Sequence, residues 1–212
     1  MTPRFDLSLI PFLKERLAQP LPGKSAQRLY AHAQSYGRHF GPHFQNSRRA
    51  AVLVLMRWAG DRWWFTLMRR PPGGVHSGQI CFPGGGIDPG ETVIEAALRE
   101  CGEETGWTPQ KTDVIGQLSP IYVYGSDNFA SCVVAMTTEE IQWSPDQTEV
   151  AELIEVPVED LCRDEALHYT TISRVGLQSE ARCFFWQNET NSYDIWGATS
   201  MMISELKSII MS

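Results

Sequence analysis

The sequence predicts an α/β sandwich built around a mixed β-sheet. Three observations support this fold class: six short segments rich in branched and aromatic residues are typical of strands, amphipathic helical segments lie among them, and no internal repeat or polar linker divides the chain. The 212 residues suffice for one sizeable domain with a full hydrophobic core. We therefore expect a single domain over residues 1–212.

The predicted elements begin with a helical and irregular lead-in over residues 1–47. Leu9, Leu13 and Leu17 recur at helical spacing. The segment 20–23, which contains two prolines and a glycine, stops that helix. We expect this helix to pack on the core of the domain.

A core region over residues 48–165 begins with the aliphatic run Ala50–Met56, which suits a strand buried on both faces. A turn at 59–61 leads into a returning strand at Trp63–Met68. Further strands are predicted at Val114–Leu118, Phe129–Met136, Val150–Val156 and Ala181–Trp186. Long helices are predicted at Thr92–Thr105 and from about Ala198 to Ile210. The last region, 166–212, is therefore expected to hold one strand and one helix.

Composition and charge exclude several classes of protein. Hydrophobic residues make up 42% of the chain and charged residues 20%, which is ordinary for a globular protein. The net charge of −7 argues against binding to duplex nucleic acid, which needs clustered cations. A small phosphorylated ligand remains compatible with this charge, because a few local arginines can bind it.

The sequence also argues against a membrane protein and against a secreted protein stabilised by disulfides. The longest apolar run, Ala50–Met56, is far shorter than the roughly 20 residues that a membrane-spanning helix needs. Arg4 and Asp6 precede any apolar run, which does not suit a secretory signal. The five cysteines are at least 20 residues apart, which favours neither a zinc site nor a disulfide framework. We expect a cytoplasmic protein that uses no membrane partner.

The segment 71–90 contains seven of the 17 glycines and four of the 13 prolines. Such a segment forms either a surface turn or a loop whose main chain approaches a ligand closely. The helix that follows favours the second interpretation. Helical spacing places Glu100, Glu103 and Glu104 within one arc of roughly 100°.

The remaining faces of this helix have other expected roles. Ile94, Leu98 and Cys101 form an apolar stripe that can pack on the sheet, and Glu95 and Arg99 are spaced to pair at i, i+4.

The three glutamates are unfavourable for the helix as an isolated element. They repel one another, and they lie in its last turns, where the helix dipole disfavours each negative charge by about 0.3–1 kcal/mol. Gly102 within the helix costs about 1 kcal/mol more than alanine. A bound divalent cation reverses the sign of the carboxylate contribution, because Mg²⁺ prefers oxygen ligands. The alternative, a solvated acidic face, explains the helix less well.

The spacing of these residues resembles a known motif. The segment 85–107 has the form Gly-x5-Glu-x7-Arg-Glu-U-x-Glu-Glu-x-Gly-U, in which U is a bulky apolar residue, and it matches the Nudix box at all seven fixed positions. Cys101 and Trp107 occupy the two apolar positions. The resemblance implies a Nudix-like α/β/α sandwich and hydrolysis of a nucleoside diphosphate linked to another group.

The Nudix resemblance also implies roles for individual residues. Glu100, Glu103 and Glu104 would be the main ligands of Mg²⁺ or Mn²⁺, together with the carbonyl oxygen of Gly84. Glu91 and Arg99 would orient the loop and the helix. The catalytic set is then Glu100, Glu103, Glu149 and Arg99, and the substrate-binding set is Arg69, Arg70, Gly84 and Gly85.

The chemistry of such a site fits the hydrolysis of a pyrophosphate. Cations that bridge the phosphate oxygens screen their charge and acidify the attacking water. A carboxylate then removes the proton of that water. The candidates for this general base are Glu100, Glu149 and Glu152, which the sequence does not rank. For Glu149, a polar residue at the entry of a strand is an equally good interpretation.

A second resemblance lies upstream of the box. Six residues match the signature of the coenzyme A pyrophosphatase subfamily at the right spacing: Arg69, Gly78, Phe82, Pro83, Gly84 and Gly85. Further similarity lies at 21–27, 149–152 and 195–199. The chain departs from the signature at Arg70, where the signature has Ser or Ala, and at Gly74, where it has Arg. If the arginine that Gly74 replaces binds a phosphate of coenzyme A, its absence removes one charge-assisted hydrogen bond, which is worth about 1.5–3 kcal/mol. The affinity for coenzyme A would then be roughly ten- to a hundredfold lower.

The expected function is metal-dependent hydrolysis of coenzyme A or acyl-CoA to 3′,5′-ADP and (acyl-)4′-phosphopantetheine. One alternative is a general Nudix pyrophosphatase that acts on ADP-ribose, NADH or NDP-sugars. Another is a non-catalytic Nudix module that senses a nucleotide. The expected partner is a small nucleotide, and a homodimer is left open because no pattern in the sequence sets the oligomeric state.

Overall fold

The computed structural model describes residues 5–31, 44–73, 76–174 and 177–212, and its centre is a seven-stranded sheet. The strands are β1 (Arg48–Ala59), β2 (Arg62–Arg69), β3 (Ile80–Cys81), β4 (Gly84–Gly86), β5 (Val114–Val123), β6 (Asn128–Thr137) and β7 (Glu152–Pro157). The strand order is β3-β2-β1-β6-β5, with β4 also paired to β1 and β7 to β2. The pairing of β1 with β6 is parallel and all other pairings are antiparallel, so the predicted mixed sheet is confirmed.

Helices and a second, smaller sheet complete the fold. The helices are α1 (Leu9–Leu17), α2 (Lys24–Gln27), α3 (Val93–Thr105), α4 (Val158–Cys162) and α5 (Ala198–Ile210). The small antiparallel sheet consists of β8 (Leu167–Arg174), β9 (Leu177–Gln187) and β10 (Ser192–Ile195). The prediction of one strand after residue 165 was therefore wrong. Most described residues of β8 are exposed, and its sequence therefore has no alternating apolar pattern from which a strand could be predicted.

The alternating side chains of β1 build two cores, one on each face of the sheet. Ala51, Leu53 and Leu55 pack with α3 in the smaller core. Val54 and Met56 point to the opposite face and join the larger core, which contains residues of α1, α5 and β9. This arrangement explains the continuous apolar run in the sequence and confirms the α/β/α sandwich.

The glycine-rich segment enters the sheet where β1 and β2 separate. Residues 56–59 of β1 pair with β2, whereas residues 50–52 pair with β4. The segment 71–90, predicted as a turn or a loop, therefore contains the two short strands β3 and β4. Only glycine fits at position 84, because its φ is +152° and a Cβ there would lie 2.4 Å from the carbonyl oxygen of Ala51. The close approach of β4 to β1 brings this main chain under α3.

The N-terminal lead-in is anchored on α5 through Glu205, a fully buried residue. Its carboxyl oxygens accept hydrogen bonds from the backbone N–H of Gly23 (3.0 Å), the side-chain amide of Gln27 (2.8 Å) and the backbone N–H of Ser119 (3.3 Å). Residues 1–4 and 32–43 of the predicted lead-in lie outside the described residues. None of the described helices has the length and apolar character needed to span a membrane.

Candidate active site

The helix of the site, α3, begins with a reciprocal cap. The Thr92 hydroxyl oxygen accepts a hydrogen bond from the backbone N–H of Glu95 (3.2 Å), and the Glu95 carboxylate accepts one from the backbone N–H of Thr92 (3.1 Å). Glu95 also binds the ammonium of Lys111 at 2.9 Å. The predicted pair between Glu95 and Arg99 was wrong, because Glu91 draws Arg99 to another side of the helix.

The C-terminal end of α3 is tied to the segment 138–151, which precedes β7. Gly106 ends the helix with φ +77°, and a Cβ there would lie 2.3 Å from the carbonyl oxygen of Ser144. The backbone N–H groups of Ser144 and Asp146 donate 3.0 Å hydrogen bonds to the carbonyl oxygens of Thr105 and Glu104. These bonds satisfy carbonyl groups that a helix end leaves without partners and bring residues 146–149 to the site.

Gly102 has a packing role that the sequence did not suggest. A Cβ at this position would lie 2.1 Å from the Thr108 hydroxyl oxygen, so glycine lets the chain fold back against the helix after Gly106. Its unfavourable helix propensity therefore has a local structural reason that is separate from metal binding.

The three predicted metal ligands lie on one side of α3 but differ in burial. The exposed fraction of the side chain is 56% for Glu103, 13% for Glu100 and 1% for Glu104. Glu104 accepts a 2.7 Å hydrogen bond from the backbone N–H of Gly84. The Glu100 carboxylate lies against Gly85, where a Cβ would be only 2.4 Å from Oε2. The two glycines thus allow the main chain of β4 to meet the acidic side of the helix.

A substitution at Gly85 is expected to displace the Glu100 carboxylate while leaving the fold intact. In Gly85→Ala the methyl group collides with the end of a flexible side chain, which can move. We expect Mn²⁺ affinity to fall about tenfold, the size of one lost charge-assisted contact, as measured by isothermal titration calorimetry. Gly86→Ala is the matched control, because no heavy atom of the described residues lies within 4 Å of its new Cβ. Equal Mn²⁺ affinity in the two variants would contradict the placement of Glu100.

Arg99 binds the outer carboxylates of the site. Its guanidinium donates two hydrogen bonds to Glu91 (2.8 and 3.1 Å) and one to the carbonyl oxygen of Gly86 (2.9 Å). It also contacts Glu100 at 3.0 Å and Glu103 at 2.8 Å. These bonds raise the pKa of Arg99 and lower that of Glu91. Arg99 therefore cross-links the loop and the helix. The orienting role that the Nudix resemblance implies for Arg99 and Glu91 stays a prediction.

Arg70 contacts the inner side of the site. It follows β2, and its Nη2 donates a 3.1 Å hydrogen bond to the carbonyl oxygen of Gly84 and lies 3.7 Å from Oε1 of Glu104. Gly74, the other departure from the subfamily signature, lies outside the described residues.

The donor atoms at this site suit a divalent metal ion. Three carboxylates and a backbone carbonyl are the hard oxygen ligands that Mg²⁺ and Mn²⁺ take, and Gly85 leaves room for them. Within the ranges that the structure describes, no three His, Cys, Asp or Glu side chains are grouped closely enough to hold one ion. The carboxylates are instead bound to arginines, Glu100 and Glu103 to Arg99 and Glu104 to Arg70.

Burial raises the pKa of Glu104 to about 7, and the negative charges of Glu100 and Glu149 add to this shift. Burial also raises the pKa of Glu100. Without metal, the site therefore contains a carboxyl group that titrates near neutral pH. A bound cation would lower the pKa of this group again, because it favours the charged carboxylate.

The stability of the metal-free protein is expected to fall as the pH rises through this range. The pKa of Glu104 is about 7 in the folded chain against an ordinary 4.5, so the folded chain binds more protons between these values. The free energy of unfolding should decrease by at most about 3 kcal/mol from pH 4.5 to pH 7. Urea unfolding in EDTA at several pH values measures this change. Glu104→Gln should flatten the profile, and an unaltered slope in that variant would contradict the assignment.

A cavity of about 330 Å³ is lined by Arg70, Pro71, Pro72, Gly73, His76, Thr148 and Glu149. Arg70, which contacts Glu104, connects this cavity to the carboxylates of α3. Glu149 is exposed, and its backbone N–H bonds the carbonyl oxygen of Asp146 at 3.0 Å in the turn before β7. The cavity thus joins the glycine-rich segment to the loop that α3 holds in place.

Arg69 and Glu152 form a separate pair at the adjoining ends of β2 and β7. Arg69 Nε donates a 3.0 Å hydrogen bond to Glu152, whose other oxygen accepts one from the Tyr193 hydroxyl at 2.7 Å. The Arg69 guanidinium stacks on the Tyr193 ring at 5.4 Å. Sequence reasoning missed Tyr193, which carries no motif of its own. Both carboxylate oxygens of Glu152 accept hydrogen bonds, whereas Glu149 is exposed at the cavity.

Comparison with known proteins identifies the family. The family profile described as NUDIX domain matches residues 47–175, more than half of the chain. Two relatives, each named "Uncharacterized Nudix hydrolase NudL", come from Photorhabdus laumondii and Klebsiella pneumoniae. The first is 32% identical over 76% of this chain and 84% of the relative. The second is 33% identical over 77% of this chain and 83% of the relative.

A solved structure supports the fold. The MutT/nudix family protein from Enterococcus faecalis has a TM-score of 0.56 at 18% identity, and the match covers 87% of this chain and 71% of that one. The match of the family profile and the two relatives show that the chain belongs to the Nudix hydrolase family.

Proposed function

We propose that this Nudix hydrolase cleaves the pyrophosphate bond of coenzyme A or acyl-CoA and uses Mg²⁺ or Mn²⁺. The products are 3′,5′-ADP and (acyl-)4′-phosphopantetheine. The observation that carries the proposal is the contact of Glu104 and Glu100 with Gly84 and Gly85, since it brings two carboxylates to the strand that bears the Gly84 carbonyl. Arg70, which contacts Gly84 and Glu104, also lines the cavity. The upstream signature residues from Arg69 to Gly85 supply the support for coenzyme A as the substrate.

The roles of the residues follow from their contacts. Glu100, Glu103 and Glu104, with the Gly84 carbonyl, would hold the divalent cation. When bound, that cation supplies charge neutralisation at the phosphate oxygens and acidifies water. Arg99 orients Glu100 and Glu103 through its bonds to the loop. Gly84 and Gly85 let the main chain of β4 approach Glu104 and Glu100, which would place the cation beside this strand.

Glu149 is the general base that we favour. It borders the cavity, where it can accept a proton from a water molecule. Glu100 is bound by Arg99, and Glu152 is bound by Arg69 and Tyr193, so these carboxylates are less available. Arg69 then acts through Glu152 and Tyr193, which changes its expected role from phosphate binding to positioning of β7.

The substrate is tested with a panel of pyrophosphate compounds. Purified protein is incubated with Mg²⁺ or Mn²⁺ and with coenzyme A, acetyl-CoA, ADP-ribose, NADH or an NDP-sugar, and the products are resolved by chromatography. We expect 3′,5′-ADP from coenzyme A. Cleavage of ADP-ribose with coenzyme A intact would overturn the substrate and favour a general nucleoside-diphosphate hydrolase. Nucleotide binding without cleavage of any compound would favour a sensor.

We also propose that residues 1–212 form one domain. The hydrogen bonds of Glu205 to Gly23, Gln27 and Ser119 support this, because they join the lead-in, the core and the last helix. A cytoplasmic location, a homodimer and the absence of nucleic-acid and membrane partners stay predictions from the sequence.

A further inference from the structure

The Arg70 guanidinium contacts two oxygens of the proposed metal-ligand set. Nη2 lies 3.1 Å from the carbonyl oxygen of Gly84 and 3.7 Å from Oε1 of Glu104. Glu104 is almost completely buried, so its ionised form needs a nearby positive charge. In this arrangement Arg70 supplies that charge at the inner end of the site, as Arg99 does at the outer end.

A divalent cation and Arg70 would compete for these atoms. Both bind oxygen, and the guanidinium already lies at the Gly84 carbonyl. Two positive charges side by side in a partly buried site repel strongly, because the surroundings screen them less than water does. Binding of a metal ion to Gly84 and Glu104 therefore favours withdrawal of the Arg70 side chain.

The side chain has a place to go without movement of the main chain. The backbone of Arg70 is held by hydrogen bonds to Gln79 (3.0 Å) and Gly78 (3.2 Å). The side chain is 34% exposed and lines the cavity, together with residues of the glycine-rich segment and of the loop around Glu149. Rotation about its side-chain bonds moves the guanidinium from the carboxylate towards this open space. An arginine there can bind a phosphate group through two parallel hydrogen bonds.

We propose that Arg70 exchanges between two anions during the catalytic cycle. Without metal it neutralises Glu104 and holds the Gly84 carbonyl; with metal in place it turns into the cavity and binds a phosphate oxygen of the substrate. Arg70 is thus a specificity-determining residue that links substrate affinity to metal occupancy. This inference rests on the proposed function, since it needs the metal site and a phosphorylated substrate.

The test compares Mn²⁺ binding and substrate kinetics in Arg70→Ala and in the unmutated chain. Removal of the competing guanidinium should tighten Mn²⁺ binding to the substrate-free protein about tenfold, measured by calorimetry and by electron paramagnetic resonance. The KM for the pyrophosphate substrate should rise about tenfold, with a smaller change in kcat, because a phosphate contact is lost. Arg70→Gln, which keeps a donor for the Gly84 carbonyl without the charge, should shift both quantities in the same directions.

Arg163→Ala is the matched control, because it removes one exposed arginine that pairs with Glu159 and Asp160 on α4. Its Mn²⁺ affinity should stay within about twofold of the unmutated value, since salt screens a remote surface charge. Thermal unfolding identifies any variant that does not fold.

Unchanged or weaker Mn²⁺ binding in folded Arg70 variants would overturn the inference and leave the proposed function standing. Failure of the unmutated chain to bind Mn²⁺ or to hydrolyse any substrate would overturn both. A crystal structure of the unmutated chain with Mg²⁺ and a non-hydrolysable pyrophosphate provides a measurement that needs no variant. It should show Arg70 turned away from Gly84, and a retained 3.1 Å contact would overturn the exchange.

Discussion

Glu103→Gln is expected to lower kcat by about 10²–10³-fold while the protein keeps its fold. Glu103 is the most exposed of the three box glutamates on α3, and its carboxylate contacts Arg99 rather than the core. The amide has nearly the same shape, so packing is preserved. The glutamine amide lacks the negative charge of the carboxylate, so its bond to the proposed divalent cation is weaker. Steady-state kinetics at saturating substrate, combined with a thermal melt, measures both effects.

Glu95→Gln is the matched control for this prediction. It removes one negative charge from the same helix, and glutamine retains the capping interaction with Thr92. We expect its kcat to match the unmutated value. Unchanged turnover in Glu103→Gln would contradict the metal assignment, and absence of turnover in the unmutated chain would indicate a nucleotide sensor.

The sequence predicts the acidic side of α3 well, because that pattern is local. Residues at i, i+3 and i+4 share one helix face whatever the rest of the chain does. The sequence could not predict that Glu104 is buried while Glu103 is exposed. This difference arises from β4, whose main chain covers Glu104 and donates the hydrogen bond from Gly84.

The strands within the glycine-rich segment escaped prediction for a related reason. Strand signals depend on side-chain alternation, and Gly84–Gly86 has no side chains to alternate. Its pairing with β1 rests on backbone hydrogen bonds and on the close approach that glycine permits. The pairs formed by Arg69 with Tyr193 and by Arg70 with Gly84 were equally hidden, since they join residues that are distant in the sequence or involve the main chain.

Glu205 is the structural residue that sequence analysis missed most clearly, although a signal for it was present. It is an acidic residue within the apolar last helix, beside Leu206 and one turn before Ile209. A charged residue on a buried helix face needs partners. Those partners lie at positions 23, 27 and 119, which no local pattern connects to α5.

Glu205→Ala is expected to reduce the free energy of unfolding by about 3–5 kcal/mol. The substitution leaves the backbone N–H groups of Gly23 and Ser119 and the amide of Gln27 without their acceptor. Each unpaired buried donor costs about 1–3 kcal/mol, and the lost side-chain volume adds a cavity. Urea unfolding at neutral pH measures the change, and the lead-in should become accessible to proteases before the core does.

Two variants on the same helix separate the lost hydrogen bonds from general effects of mutation in α5. Glu205→Gln keeps one acceptor oxygen and should lose less stability than alanine, because only some of the three donors are left unpaired. Ser208→Ala changes an exposed position and should stay within about 0.5 kcal/mol of the unmutated chain. Because Glu205 lies outside the proposed active site, folded Glu205→Gln should retain its kcat. A loss of turnover without a loss of stability would show that the lead-in affects catalysis directly, and would contradict a purely structural role for Glu205.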